Sequence, residues 1–324
     1  MSQVAAVIPN WNGAARLARL FEGLRAQTKP LDQVIVVDNG STDQSYEIAS
    51  AAGATWIALG ANTGFSHAVN VGIQASSAQW ILILNNDVIP EPGWLKNLIE
   101  AAIASDAWFA AGKLLNQAAT KRIDGAFDAI CRGACAWRCG HGRPDSEVWN
   151  QPRKIHFAPL TAALFRRQLF DRAGMLDETL GSYLEDVDLG LRCATRGLTG
   201  VYVPSAVAFH EGSATLGAWH ADTVRKISRN QLLIVAKHYP PGWILRYGWP
   251  VLVAQGLWGF IALRHGRFLA FLKGKLDGLR LFEKSRGESC PELARILDQS
   301  EGEIRELQKL TGFDLYWKLY FALT

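Results

Sequence analysis

Short apolar runs alternate with segments of helical periodicity through the first half of the chain. Residues 4–8 form an unbroken apolar run, closed by Pro9 and the turn-forming Asn10-Trp11-Asn12-Gly13. Leu17, Leu20, Phe21 and Leu24 then recur at the spacing of one helix face, which predicts a helix over residues 14–25. A β-branched run at 34–37 predicts a second strand ending in Asp38-Asn39-Gly40-Ser41, followed by a short helix over 43–52 that Gly53 stops. Residues 55–59 and 80–84 predict a third and a fourth strand, with a helix over 65–76 between them. Apolar strands alternating with helices predict an α/β fold built on a parallel sheet with helices on both faces. Ligands of such sheets gather beyond the carboxyl ends of the strands. The polar clusters fall at those ends: 9–12, 38–41, 62–64 and 85–87.

The second half is less regular. Residues 111–150 are rich in Gly, Arg and Cys and predict strands with a long loop. Helical spacing returns at 166–173 and 185–195, and a strand at 199–203 leads on to Phe209-His210. Beyond Trp219 the pattern predicts helices to the end, so the chain divides into an α/β domain, 1–220, and a helical, basic and aromatic-rich C-terminal region, 221–324.

Charge sharpens that division. The net charge is +4, yet residues 225–286 hold twelve Lys/Arg against Asp277 and Glu283, leaving that stretch at +10 and the remainder at −6. Such asymmetry points to an anionic partner. Aromatic and aliphatic residues interleave with the cations, which suits a helix in a membrane interface better than a polar stripe for nucleic acid. The competing expectation is a helical hairpin packed on the α/β domain or on a second subunit. The longest uncharged run, 247–263, spans 17 residues and contains Pro250, so no membrane-crossing helix is expected. Five cysteines that do not pair off, and an N-terminus that begins as a strand, predict a reducing cytoplasmic setting.

Several polar positions carry candidate chemistry. Asp87 follows an apolar strand directly, where one carboxylate with water and phosphate oxygens can hold Mg²⁺ or Mn²⁺; Asn85-Asn86-Asp87 is equally ordinary turn chemistry. Asp38 could accept a hydrogen bond from a ribose or base, or could simply belong to a turn. Ser182 and Glu185 have capping-box spacing, which predicts a helix start and a structural Glu185. Asp186, in the same first turn, is then free to face a cleft and act as a general base, although acids at helix starts also favour the dipole. His210, after a strand, could supply a metal nitrogen. Cys131, Cys135 and Cys139 lack the spacing of zinc knuckles and are expected to be loop thiols.

Together these blocks resemble the family-2 glycosyltransferases, in particular the bacterial rhamnosyltransferase-like branch, over about residues 3–240. They are Val7-Ile8-Pro9-Asn10-Trp11-Asn12-Gly13, Val36-Val37-Asp38-Asn39-Gly40-Ser41-Thr42-Asp43, Asn62-Thr63-Gly64-Phe65, Leu84-Asn85-Asn86-Asp87 and Tyr183-Leu184-Glu185-Asp186-Val187-Asp188-Leu189. The resemblance implies a glycosyltransferase A-type fold, a nucleotide-diphosphate sugar donor, a divalent metal (Mn²⁺ or Mg²⁺) and inversion at the anomeric carbon. It implies a nucleotide pocket of Pro9, Asn10, Asn12, Asp38, Asn39, Asn62, Gly64 and Asn86, with Asn70 a weaker member. Asp87 matches the last acid of the family's Asp-x-Asp motif, whose first acid is Asn85 here. His210 matches a position that completes the metal shell, Asp186 the general base with Glu185 beside it, and residues 138–145 a loop at the sugar site. The implied reaction moves rhamnose from a thymidine carrier, or another sugar from uridine, to a glycan or lipid-linked hydroxyl in cell-surface polysaccharide synthesis. It would occur at the inner face of the cytoplasmic membrane. A nucleotidyltransferase lacks support, because no Gly-rich basic loop follows the first strand; an inactive nucleotide- or carbohydrate-binding module is the other alternative.

Overall fold

The computed structural model describes residues 3–212, 219–288 and 290–324. β1 (Val4–Asn10), α1 (Ala14–Arg25), β2 (Gln33–Asp38), α2 (Ser45–Ala51), β3 (Thr55–Ala58), α3 (Phe65–Gln74) and β4 (Trp80–Leu84) follow in the order that the apolar pattern predicts. Next come β5 (Val88–Pro90), α4 (Trp94–Ala104), β6 (Phe109–Asn116), β7 (Ile123–Gly125), β8 (Asp128–Ile130) and β9 (Ala136–Arg138). β10 (Arg153–Ile155), β11 (Ala162–Arg166), α5 (Gln168–Ala173), α6 (Glu185–Ala194) and β12 (Gly200–His210) complete the α/β part. Five helices follow: α7 (Ala221–His238), α8 (Trp243–Arg264), α9 (Phe268–Phe282), α10 (Leu293–Thr311) and α11 (Leu315–Leu323).

The main sheet runs β10-β12-β6-β11-β4-β1-β2-β3, with β5 paired to β12 and β7 to β6. β4, β1, β2 and β3 are mutually parallel, as expected. Beyond β4 the sheet becomes mixed: β11 lies antiparallel between β4 and β6, while β12 runs parallel to β6. Parallel neighbours need a crossover helix, and β11 arrives from an irregular segment that imposes no such direction. Two boundaries also shift. Arg166 ends β11 rather than opening a helix, and the strand expected at 199–203 continues to His210 through a register shift between Val203 and Val207.

Alternation along β4 divides the core. Leu82 and Leu84 pack with Ile8 against α1 and α4, whereas Ile81 and Ile83 pack with Val7 against Val69 and Ile73 of α3. That second cluster runs on into Val253 and Ala254 of α8, Ile304 and Leu307 of α10, and Trp317 and Tyr320 of α11. The C-terminal helices thus share a core with the sheet. Cys131, Cys135 and Cys139 belong to the same cluster and are buried, so they pack as small apolar groups in the core and not in an open loop.

α7 and α9 approach closely because α9 presents Gly274 and Gly278 to α7: a Cβ on Gly274 would come within 2.3 Å of Arg225 O and 2.8 Å of Ser228 Cβ. Alanine normally stabilises a helix interior over glycine by about 1 kcal/mol. The sign should invert here. Gly274→Ala is expected to destabilise by about 1–3 kcal/mol through overpacking. Gly256→Ala, which meets nothing within 4 Å in α8, should stabilise. Thermal melts of the two variants check the contrast.

Candidate active site

The polar clusters meet in one cavity of about 690 Å³ above the carboxyl ends of β1, β2 and β4. Pro9, Asn10, Trp11, Asn39, Asn62, Gly64, Asn85, Asn86, Asp87, Glu185, Asp186 and His210 all line it. Asp38 and Asn12 do not. The Asp38 carboxylate is consumed by its own loop: it accepts from Ser41 N at 2.8 Å, Gly40 N at 3.1 Å, Asn10 Nδ2 at 3.1 Å and the Ser41 hydroxyl. Asn12 Oδ1 likewise accepts from Thr42 N at 2.8 Å, outside the cavity. Asn70 is buried in α3 and bonds Leu176 O and Glu178. These three side chains hold loops together. Asn86 Nδ2, by contrast, donates to Asn10 Oδ1 at 2.7 Å and joins the β1 and β4 clusters at the cavity wall.

Strand register brings the metal candidates together. β5 runs antiparallel to β12 with Val88 opposite His210, so Asp87 lands beside the imidazole, its Oδ1 3.3 Å from Nε2. The other ring nitrogen, Nδ1, lies 2.7 Å from Asp124 Oδ2 of β7. Asp124 on Nδ1 is placed as outer carboxylates are when they orient metal-bound histidines, and a cation beside Asp87 would displace the proton from Nε2. Burial alone would lower the His210 pKa, but the carboxylates of Asp124 and Asp87 overcome it and push it up to about 9. Asp87 Oδ1 and Asn85 Oδ1 are buried without a hydrogen bond. Two orphaned oxygens beside an oriented imidazole fit a divalent cation. No larger cluster of His, Cys, Asp or Glu fit to hold a metal occurs among the described residues, so phosphate oxygens and water would complete the shell.

Asp186 stands in an acidic corner that the sequence reading found only in part. Asp128 of β8 lines the cavity opposite Glu185 and Asp186, and the β8–β9 hairpin sets it directly across from Arg138. Arg138 lies 3.8 Å from Asp128 and 3.6 Å from Asp124. Burial raises the pKa of Asp186, and Arg138 opposes that rise. Asp128 and Glu185 are held well above the ordinary range, first by burial and then by repulsion from Asp186. One guanidinium thus serves several buried acids, and the group can hold a proton. Asp124 and Asp128 went unnoticed as candidates. The available signal was two acids flanked by Ile123, Ala126, Phe127, Ala129 and Ile130, since an acid amid apolar strand residues is buried for a reason.

Residues 5–174 match the family model described as Glycosyl transferase family 2. The chain belongs to glycosyl transferase family 2. Over 291 residues this glycosyltransferase is 26% identical to the N-acetylglucosaminyl-diphospho-decaprenol L-rhamnosyltransferase of Mycobacterium tuberculosis, covering 82% of its own length and 92% of the relative's. It is also 26% identical over 227 residues to the O-antigen biosynthesis protein RfbC of Myxococcus xanthus, covering 66% of this chain and 18% of that protein. Among solved structures, GalNAc-T7 with UDP, GalNAc and Mn²⁺ superposes with a TM-score of 0.65 at 15% identity, over 94% of this chain and 58% of that one. Mannosyltransferase PcManGT from Pyrobaculum calidifontis, in complex with GDP-Man and Mn²⁺, gives 0.54 at 14% identity, over 99% and 86%. These likenesses establish the glycosyltransferase A-type fold.

How the glycosyltransferase holds Asp186 corrects one expectation. No capping box forms. Leu184 precedes α6 with φ +65°, Tyr183 has φ +73°, and no side chain caps the helix. Consecutive left-handed non-glycine residues store strain that the surroundings must offset. Asn230 of α7, wholly buried, donates through Nδ2 to Leu180 O at 3.0 Å, Ser182 O at 3.0 Å and Tyr183 O at 2.7 Å. Glu185 does not reach back to the helix start; it is buried facing the cavity with Oε2 unpaired.

On the opposite side of α6, Asp188 is fully buried among Arg192 at 2.9 Å, Lys237 at 2.7 Å and His238 at 2.8 Å. Burial would raise its pKa, but these partners hold it well below the ordinary value of 3.8. Its contribution to stability is therefore complete above that value and is lost as pH falls below it. Asp188→Asn should cost about 3–5 kcal/mol near pH 7, the range for breaking a buried ion pair. The difference from wild type should shrink below about pH 4, and urea unfolding across that range measures both.

Proposed function

We propose that the chain transfers a sugar from a nucleotide-diphosphate donor to an acceptor hydroxyl with inversion, using Asp186 as general base and a divalent cation held by Asp87 and His210. The observation that carries this reading is that Asp186 and the Asp87–His210 pair line the same cavity. The cation, Mn²⁺ or Mg²⁺, supplies a Lewis acid for the charge that builds on the diphosphate. Pro9, Asn10, Asn39, Asn62, Gly64 and Asn86 form the nucleotide wall, and Asp38 and Asn12 keep its loops in shape. Gly64 precedes α3 at φ +95°, with Gly181 O 3.3 Å from where a Cβ would stand, so the start of α3 packs on the Gly181 backbone in a conformation that favours glycine.

Asp186 takes the proton of the acceptor hydroxyl as its oxygen attacks the anomeric carbon. The new carbon–oxygen bond forms on the face opposite the breaking bond to phosphate, and the nucleoside diphosphate departs with that electron pair. One displacement inverts the centre. A carboxylate whose pKa burial raises is a stronger base than a solvated aspartate, and Arg138 opposes that rise by favouring the charged form. Glu185 and Asp128, whose pKa values burial and then repulsion from Asp186 raise, line the same cavity within reach of sugar hydroxyls.

The relatives' names support the donor and the acceptor class. One is named as an L-rhamnosyltransferase of N-acetylglucosaminyl-diphospho-decaprenol and another as an O-antigen biosynthesis protein. A thymidine-linked rhamnose is therefore the first donor to test and uridine-linked sugars the second, with a lipid-linked glycan as acceptor in cell-envelope polysaccharide synthesis on the cytoplasmic side of the membrane.

Asp186→Asn should lower kcat by about 10²–10⁴ while donor-induced thermal stabilisation stays at the wild-type level; an unchanged kcat would remove Asp186 as the base. Asp124→Asn should weaken Mn²⁺ by about 10–100-fold, read as a displaced Mn²⁺ titration of that stabilisation. An unchanged titration would exclude His210 as the nitrogen ligand.

A further inference from the structure

Three C-terminal helices each turn a row of large apolar side chains outward. On α8 these are Leu245, Trp249, Leu252, Phe260 and Leu263, which share one helical face. α9 shows Leu269, Leu272, Leu276 and Leu279, and α11 shows Leu315, Leu319 and Leu323. Leu245 is 96% exposed and Leu269 73%. The rows are neighbours, because α8 packs against both α9 and α11, and the Trp249 indole donates to Leu323 O at 2.8 Å. A face of this extent marks an interaction site.

The charge along α8 and α9 is positive apart from Asp277, and Asp298 of α10 comes within 3.9 Å of Arg246. Arg246, Arg264, Arg267, Lys273 and Arg280 are exposed along α8 and α9. Asp277 is the sole acid between residues 243 and 282, and Arg225 holds it at 2.7 Å. A second copy of the chain meeting this face about a twofold axis would set cation against cation. An anionic bilayer offers acyl chains to the leucines and phosphates to the cations. Among the described residues no helix is long and apolar enough to cross a membrane, so the contact lies in the interface plane.

The reverse side of α8 faces the reaction site. Trp258 and Ile261 line the cavity that holds Asp186, together with Ile227 of α7 and Trp317 of α11. We propose that α8, α9 and α11 form a docking face for an anionic lipid bilayer, which sets the α8–α11 wall of the cavity at the lipid headgroups. For the acceptor the consequence rests on the glycosyl-transfer reading above: a lipid-borne hydroxyl would approach Asp186 along that apolar wall.

The test is sedimentation of the full chain with vesicles of phosphatidylcholine alone or mixed with phosphatidylglycerol. Binding is expected only to the mixed vesicles and to fall as salt rises. Leu245→Glu with Leu269→Glu should abolish it, and Arg264→Gln or Lys273→Gln should each weaken it roughly fivefold. All of these positions are on the surface, and thermal melts confirm that the variants fold. Donor-induced thermal stabilisation should be unchanged in every variant, so failure of docking and failure of the donor site are read separately. No binding to anionic vesicles, or binding that the leucine variant leaves intact, overturns the proposal. A concentration-dependent dimer that the leucine variant dissociates would assign the face to a second copy instead.

Discussion

The antiparallel register between β5 and β12 is the constraint on which the rest of the site depends. β5 is three residues long, yet pairing Val88 with His210 puts a carboxylate from one end of the fold beside an imidazole from the other. β12 holds that position because it is also paired along β6 and β10. β6 in turn carries β7, and with it Asp124, to the far nitrogen of the same ring. A slip of one residue would turn His210 to the opposite face of the sheet. The metal candidates are thus fixed by backbone hydrogen bonding rather than by their own attraction.

Buried charge follows a different logic on the two faces of α6. On the cavity side Asp186, Glu185 and Asp128 share Arg138, and burial, followed for Glu185 and Asp128 by repulsion from Asp186, raises their pKa values. On the far side Asp188 is matched by Arg192, Lys237 and His238 and stays ionised. The satisfied side anchors the helix to α7, while the unsatisfied side is available for chemistry. Asn230 completes the arrangement by gathering three carbonyls of a left-handed turn that would otherwise not persist. α7 is therefore part of the reaction site's scaffold.

Much of this was legible in the chain. Unbroken apolar runs specified β1, β2 and β4, because a strand buried on both faces needs no alternation. Turn residues after those runs marked the ligand edge, and the block from Tyr183 to Leu189 located the acid-bearing helix. The reading faltered where local rules compete with distant partners. Ser182 and Glu185 have the spacing of a cap, but Asn230, 48 residues from Ser182, takes the backbone groups that fix the turn. Asp38 looked available to a ligand until its own loop saturated it. Asp124, Asp128 and Arg138 lie in short strands whose partners cannot be inferred from spacing.

The sequence by itself determined the glycosyltransferase family, the strand-and-helix order of the first half and the edge at which polar groups collect, since each follows from contacts close along the chain. Only the tertiary structure decided that β11 runs antiparallel, that Asp87, His210 and Asp124 form one chain of contacts, and that Cys131, Cys135 and Cys139 pack in the core. It also decided that three C-terminal helices carry leucines outward in adjoining rows. Those outcomes depend on residues dozens to hundreds of positions apart. Which surface meets which is chosen by burial of the whole chain at once, and no local pattern records that choice.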